Sequence, residues 1–223
     1  MSQETEIRTT GARRMGAWVI RAAIVLAALF GIAGNISRGV ALSLGRPPIN
    51  LGTEPLPGLP LDRLPILLQA ELREGATGTV EDSDLVLRLL NIVPLFLEAL
   101  TVVVAAWLLL RVLSRVAARE AFSTQVVSRW RALTGVLLAG GLLTGLINSA
   151  AFLYLNWNLG LLGMDRGLDP EERDAFLGGD YMAVGIDVPH WPIPVIIAGL
   201  VALALTAAFR AGAQLERDVD GVI

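Results

Sequence analysis

The sequence predicts an all-α membrane protein: a four-helix transmembrane bundle with a small extracytoplasmic cap containing short β-strands. Three observations carry this. Four apolar runs, Ala17–Asn35, Leu89–Leu110, Ala132–Leu155 and Ile193–Phe209, are interrupted by charge only at Arg21 and Glu98, and a helix needs about 20 apolar residues to cross a hydrocarbon core. Of the 223 residues, 54% are hydrophobic, more than an ordinary soluble domain carries. The arginines between the runs are distributed unevenly.

That unevenness gives a direction. The basic residues are all arginine. The arm through Arg21, the segment 111–131 and the tail 210–223 hold eleven Arg against six acids, whereas 36–88 and 156–192 hold seven Arg against fourteen acids. Arginine near the ends of spans marks the cytoplasmic side, so both termini are expected inside. The absence of cysteine removes disulfides, thiolate nucleophiles and cysteine metal sites.

The elements follow in order. Residues 1–16 form a cytoplasmic arm, with 1–12 polar and expected to be disordered. The first span is 17–35. Its rival is a cleaved signal peptide, but the run exceeds the usual 7–15 residues and lacks an Ala-x-Ala site. The segment 36–88 opens Pro/Gly-rich from Gly45 to Pro60. An amphipathic helix is expected over Leu64–Arg73 and a strand over Thr77–Glu81, and Ser83 or Asp84 caps the helix that becomes the span 89–110.

That helix is expected to run on through Arg111, Arg115 and Arg119 to a turn at Glu120–Ser123, where Ser123 or Thr124 caps the third span, 132–155. In 156–192, Asp169 as N-cap, Pro170 at the first helical position and Glu171 and Glu172 in the first turn predict a helix start. Tyr181–Val188 alternates as a strand, expected to pair with Thr77–Glu81. The last span, 193–209, covers roughly 25 Å at about 1.5 Å per residue, with Trp191 and Phe209-Arg210 as interfacial anchors. Residues 210–223 are the cytoplasmic tail.

The stretch Phe122-Ser-Thr-Gln-Val-Val-Ser-Arg-Trp-Arg-Ala-Leu-Thr-Gly and the ending Phe209–Ile223 resemble the bacterial membrane-protein family catalogued as domain of unknown function 2975. There a Pro-Phe-like turn leads into an Arg-rich entry to the third span, and the chain closes after the fourth on a basic-then-acidic tail. Here Ala121 stands where Pro is common, and Val126-Val127-Ser128 replaces a more polar stretch. The resemblance implies a four-helix inner-membrane protein, often encoded beside a small helix-turn-helix regulator, and it transfers no catalytic residues.

Glu98 falls near the middle of its run, where a charged carboxylate costs about 2.5 kcal/mol or more and seeks a partner or a proton. Asn91, Pro94, Glu98 and Thr101 share a helical face. The third span offers the small polar face Gly141, Thr144, Gly145 and Asn148, with Gly141-x-x-x-Gly145 permitting close approach. Glu98 is therefore expected to bond Thr144 or Asn148, with Pro94 loosening the helix nearby. The intramembrane polar set Glu98, Asn91, Thr101, Thr144 and Asn148 reads either as an interhelical clamp or as a proton or ion relay.

Arg111, Arg115, Arg119, Arg129 and Arg131 form a cytoplasmic basic surface for anionic lipid, for simple anchoring in the bilayer, or for a protein partner joined by Glu216, Asp218 and Asp220. A second copy of the chain is a further candidate partner. Asp165–Asp174 lacks calcium-loop spacing. His190 is the lone histidine, expected beside Trp191 at the outer interface, so a His-based metal site or triad is not expected. No nucleotide-binding or nucleophile-elbow motif appears, no cofactor is implied, and no basic aromatic surface supports nucleic-acid binding. The expectation is a non-enzymatic sensory, regulatory or accessory protein; the alternative is a small transporter or channel subunit using Glu98.

Overall fold

The computed structural model describes residues 2–47, 57–118, 123–161, 163 and 168–220, with 2–15, 17 and 216–220 described by backbone alone. The chain order is α1 Ser2–Leu44, β1 Leu67–Leu72, α2 Leu85–Ala117, α3 Thr124–Leu159, α4 Pro170–Leu177, β2 Tyr181–Ile186 and α5 Ile193–Asp220. Among the described residues four helices are long and apolar enough to cross a membrane, in α1, α2, α3 and α5. The fold is thus the all-α multi-pass membrane class with a two-stranded sheet that the sequence predicts.

Every membrane helix is longer than its apolar run. The stretch 1–12, expected to be disordered, is helical from Ser2, and α1 continues past Asn35 to Leu44. The segment 111–131 consists largely of the ends of α2 and α3. The last helix runs on to Asp220. Hydropathy marks where a helix is apolar, whereas the helix itself stops only where a breaker or cap ends its ladder.

The residues form two compact units. The first comprises Gly34–Ala99 and Gly140–Ile193 and carries the cap. Its core joins Leu61, Leu64, Ile66, Leu67 and Val80 to Leu87, Leu155, Leu177 and Tyr181. β1 and β2 pair antiparallel, Leu67 opposite Ile186 and Leu72 opposite Tyr181, with two irregularities in register.

Two expectations are corrected here. Leu64–Arg73 is not a helix; its centre is β1. Pro65 holds Leu64 extended, and β2 supplies the partner that satisfies the backbone of the residues after it. Thr77–Glu81 is not the strand that pairs with β2. It leads into a single tight helical turn at Val80–Asp82, held where the Val80 N–H donates to the Leu59 carbonyl at 2.8 Å. The β2 strand itself and the helix at Pro170 stand where the sequence puts them, although the Asp169 side chain makes no capping bond. Asp84 does cap α2, its Oδ1 accepting from the Leu87 N–H at 2.9 Å and the Tyr154 hydroxyl at 3.1 Å.

The second unit comprises Met1–Ala33, Leu100–Ala139 and Pro194–Ile223. Its described residues are almost all helical, with a small buried cluster of Leu108, Leu133 and Ala202. Thr134 and Thr206 share a buried hydroxyl contact at 3.3 Å, and Trp130 stacks on Phe209 with centroids 5.7 Å apart.

Candidate functional site

Within the cap-bearing unit lies a cavity of about 830 Å³, in the range of small-molecule sites. Its polar wall is assembled from several elements: Asn35 and Arg38 of α1, Asn91 and Glu98 of α2, Thr144 and Asn148 of α3. Asp62, Arg63, Asp187 and His190 contribute from the connecting segments, and apolar residues, mostly Pro and Leu, fill the rest.

The position of α1 explains its role. A Cβ at Gly39 would stand 2.9 Å from the Phe96 ring, so glycine there lets α1 approach α2 closely. One turn earlier on the same face, Asn35 Nδ2 donates to Glu98 Oε2 at 3.1 Å. Glu98 thus has a carboxamide partner from the first helix. The expected bond to Thr144 or Asn148 is not formed: Asn148 Nδ2 donates instead to the His190 carbonyl at 2.7 Å, and the buried Thr144 Oγ1 has no partner. Hydropathy alone makes Asn35 the end of a span and leaves the third helix as the source of a partner; the continuing α1 makes Asn35 an interior residue.

Asn91 is 3% exposed and satisfied at both ends. Its Oδ1 accepts from the Ile66 N–H at 3.1 Å, and its Nδ2 donates to the Leu87 carbonyl at 2.8 Å. It ties the segment leading into β1 to α2. Pro94 is buried beside the cavity, and without an N–H it leaves the α2 ladder short of its bond to the Leu90 carbonyl. Thr101 is buried but does not line the cavity, so the predicted four-residue face contributes only three members. The Gly141-x-x-x-Gly145 step also resolves differently: a Cβ at Gly145 would collide with the Trp191 ring, so the close approach is to an indole.

The basic set sits elsewhere. Arg111 lies over the Trp107 ring at 4.3 Å, and Arg129 Nη1 donates to the Arg111 carbonyl at 3.2 Å. Arg131 is exposed and Arg115 half-buried. Arg119, the Glu120 turn, Ala121 and Phe122 lie outside the described residues, as do most of the Pro/Gly-rich stretch at 48–56, Asp165, and the side chains of Glu216, Asp218 and Asp220. Among the described residues no group of three or more His, Cys, Asp or Glu side chains is placed to hold a metal ion.

Outside the spans, burial first and then the carboxylates of Asp82 and Asp62 push the Tyr181 hydroxyl above its ordinary pKa of 10.0. That hydroxyl is buried and lacks a hydrogen-bond partner.

Residues that sequence reasoning missed are Asn35, Arg38, Asp62, Arg63 and Asp187. Asn35, Gly39 and Ser43 repeat every four residues, a polar and small stripe that signals a continuing helix. The loop residues carry no such period.

No protein-family model, curated protein or solved structure matches this chain.

Proposed function

We propose that this chain receives a small molecule in the cavity and relays its presence to a cytoplasmic partner, in a sensory, regulatory or accessory role without catalysis of its own. The observation that carries the reading is the cavity itself: a roomy, mixed-polarity space with a half-buried carboxylate and an unpartnered hydroxyl in its wall. Such convergence of a few polar groups on an apolar-lined space is the usual form of a ligand site.

The chain sits in a bacterial inner membrane with both termini cytoplasmic. The arginine imbalance supports that orientation, and the resemblance to the family of domain of unknown function 2975 supports the membrane and suggests a helix-turn-helix regulator as the partner. Arg111, Arg115 and Arg129 then face the cytoplasm on the partner's side. Photo-crosslinkers introduced at Ser114 and Gln125 test the reading in cells. Capture of one discrete protein supports it; capture of lipid alone overturns the relay.

A second reading, a small transporter or channel subunit, is favoured by Pro94 and Glu98 lying on the same wall. Reconstituted vesicles in which proton or solute flux disappears in Glu98→Gln would establish it. Absence of Glu98-dependent flux removes it.

A further inference from the structure

Four side chains on the cavity wall decide what chemistry it accepts. Asn35 has committed its Nδ2 to Glu98, Asn148 its Nδ2 to the His190 carbonyl, and Asn91 both its Oδ1 and its Nδ2 to backbone. In each case the bonding partner fixes which amide end is the nitrogen. Each of these amides commits one of its two N–H donors to the protein. The other carboxylate oxygen of Glu98, the Asn35 and Asn148 carbonyl oxygens and the unpartnered hydroxyl of Thr144, which is 3% exposed, are left as acceptors. The remaining amide N–H groups and the Thr144 hydroxyl can also donate, so hydrogen bonding alone does not set the ligand's charge.

The charges of the wall decide between ligands. Among the described residues the ion pairs are Arg46–Glu81 and Arg73–Asp180, and neither involves a cavity residue. Arg38 and Arg63 are exposed, whereas Glu98 is half-buried. A charge withdrawn from water acts more strongly on a neighbour than one bathed in it. The least solvated charges facing the space, the half-buried Glu98 and Asp187, are thus both negative. Among the described residues no three acids converge as they would around a metal ion, and about 830 Å³ is room for an organic molecule rather than a single ion.

We propose that the cavity binds a small organic cation, an ammonium compound whose N–H groups are received by Glu98 and the neighbouring carbonyl and hydroxyl oxygens. An ammonium has three donors and no acceptor, so it can bond the Glu98 carboxylate and neighbouring oxygens at once, and charge-assisted hydrogen bonds are the strong ones. This rests on the reading of the cavity as a ligand site.

The test uses full-length protein in nanodiscs of zwitterionic lipid and three compounds of one shape: phenethylammonium, 2-phenylethanol and 3-phenylpropionate. Binding is measured by calorimetry, with protein-free discs of the same lipid as the baseline for partition. The expected result is phenethylammonium binding about tenfold or more tightly than the alcohol, the carboxylate weakest, and this preference lost in Glu98→Gln. Glu98→Asp, which keeps the charge, should retain the preference, and it serves as the decisive variant if the amide form does not fold. If the carboxylate binds best, or ammonium and alcohol bind alike, the cation inference falls while the cavity remains a ligand site. If none binds above the baseline, both fall.

Discussion

The two units of this molecule are cut from the same long helices yet are held together by different means. The cap-bearing unit has an aqueous-protein style of core, with Leu61, Leu64, Leu87, Leu155 and Leu177 at most 1% exposed, and beside it a polar cavity. Among its described residues the other unit has a small buried cluster of Leu108, Leu133 and Ala202, a threonine pair and an aromatic stack, and its flanks are broadly exposed: Trp18, Leu26, Leu29 and Phe30 of α1 are 55% exposed or more. Lipid is as apolar as leucine, so a membrane helix gains little by burying leucine against leucine and relies on packing and hydrogen bonds. A cap in water gains from every apolar area it removes. The cavity belongs to the cap-bearing unit, and polar groups unwelcome in lipid are tolerated in its wall.

The contrast between the units is sharpest in their cores, and the greatest loss is expected there. Leu64→Ala, at 1% exposure in the cap core, should cost about 2–5 kcal/mol. Leu108→Ala in the other unit, at 7% and facing few core neighbours, should cost clearly less. Denaturant titration of each variant in mild detergent checks this, and equal losses would erase the distinction between the units.

Next in size is the tie between cap and helix. Asn91→Ala leaves the buried Ile66 N–H unsatisfied and should cost about 1–3 kcal/mol. Hydrogen exchange read by mass spectrometry should show β1 loosening while α3 and α5 stay protected.

A smaller effect belongs to the other unit. The Thr206 hydroxyl donates to the Ala202 carbonyl at 2.7 Å, which leaves Thr134 as the donor between the two threonines. Thr134→Val removes that donor and should cost about 1 kcal/mol. The double variant Thr134→Val with Thr206→Val should cost less than the sum of the singles, measurable in a double-mutant cycle of thermal melts.

The smallest effect concerns Tyr181. Its folded pKa is raised above 10.0, so the folded state holds its proton more tightly than the unfolded state. The resulting stability is fully present below about pH 10 and is lost as pH rises through the folded value. Tyr181→Phe should leave stability nearly unchanged at neutral pH, since it removes an unpartnered buried hydroxyl. It should also flatten the decline above pH 10, as melting curves at pH 8 and pH 11 would show.

The spans were legible because hydrocarbon thickness writes itself into run length, and the α4 start was legible because Asp169-Pro170-Glu171 is a local signal. β1 was not. Its residues carry a leucine-rich stretch that suits either a helix or a strand, and β2, its partner, lies more than a hundred residues away. Glu98 stood out as a lone carboxylate in an apolar run, and Thr144 and Asn148 followed from its depth. Asn35 escaped because hydropathy ends where the helix does not, and Asp62, Arg63 and Asp187 escaped because only the fold of the cap brings loops to the cavity.

The central claim is that polar groups deep in the helices face a space reachable from the cap side. The chain has no cysteine, so a single introduced thiol reports without background. Asn148→Cys on the cavity wall should react quickly with a small ammonium-bearing thiosulfonate added outside the cell, and phenethylammonium should slow the reaction. Leu155→Cys, on the same helix but fully buried in the cap core, should react far more slowly. If position 148 reacts no faster than 155, or reacts only from the cytoplasmic side, the account is contradicted.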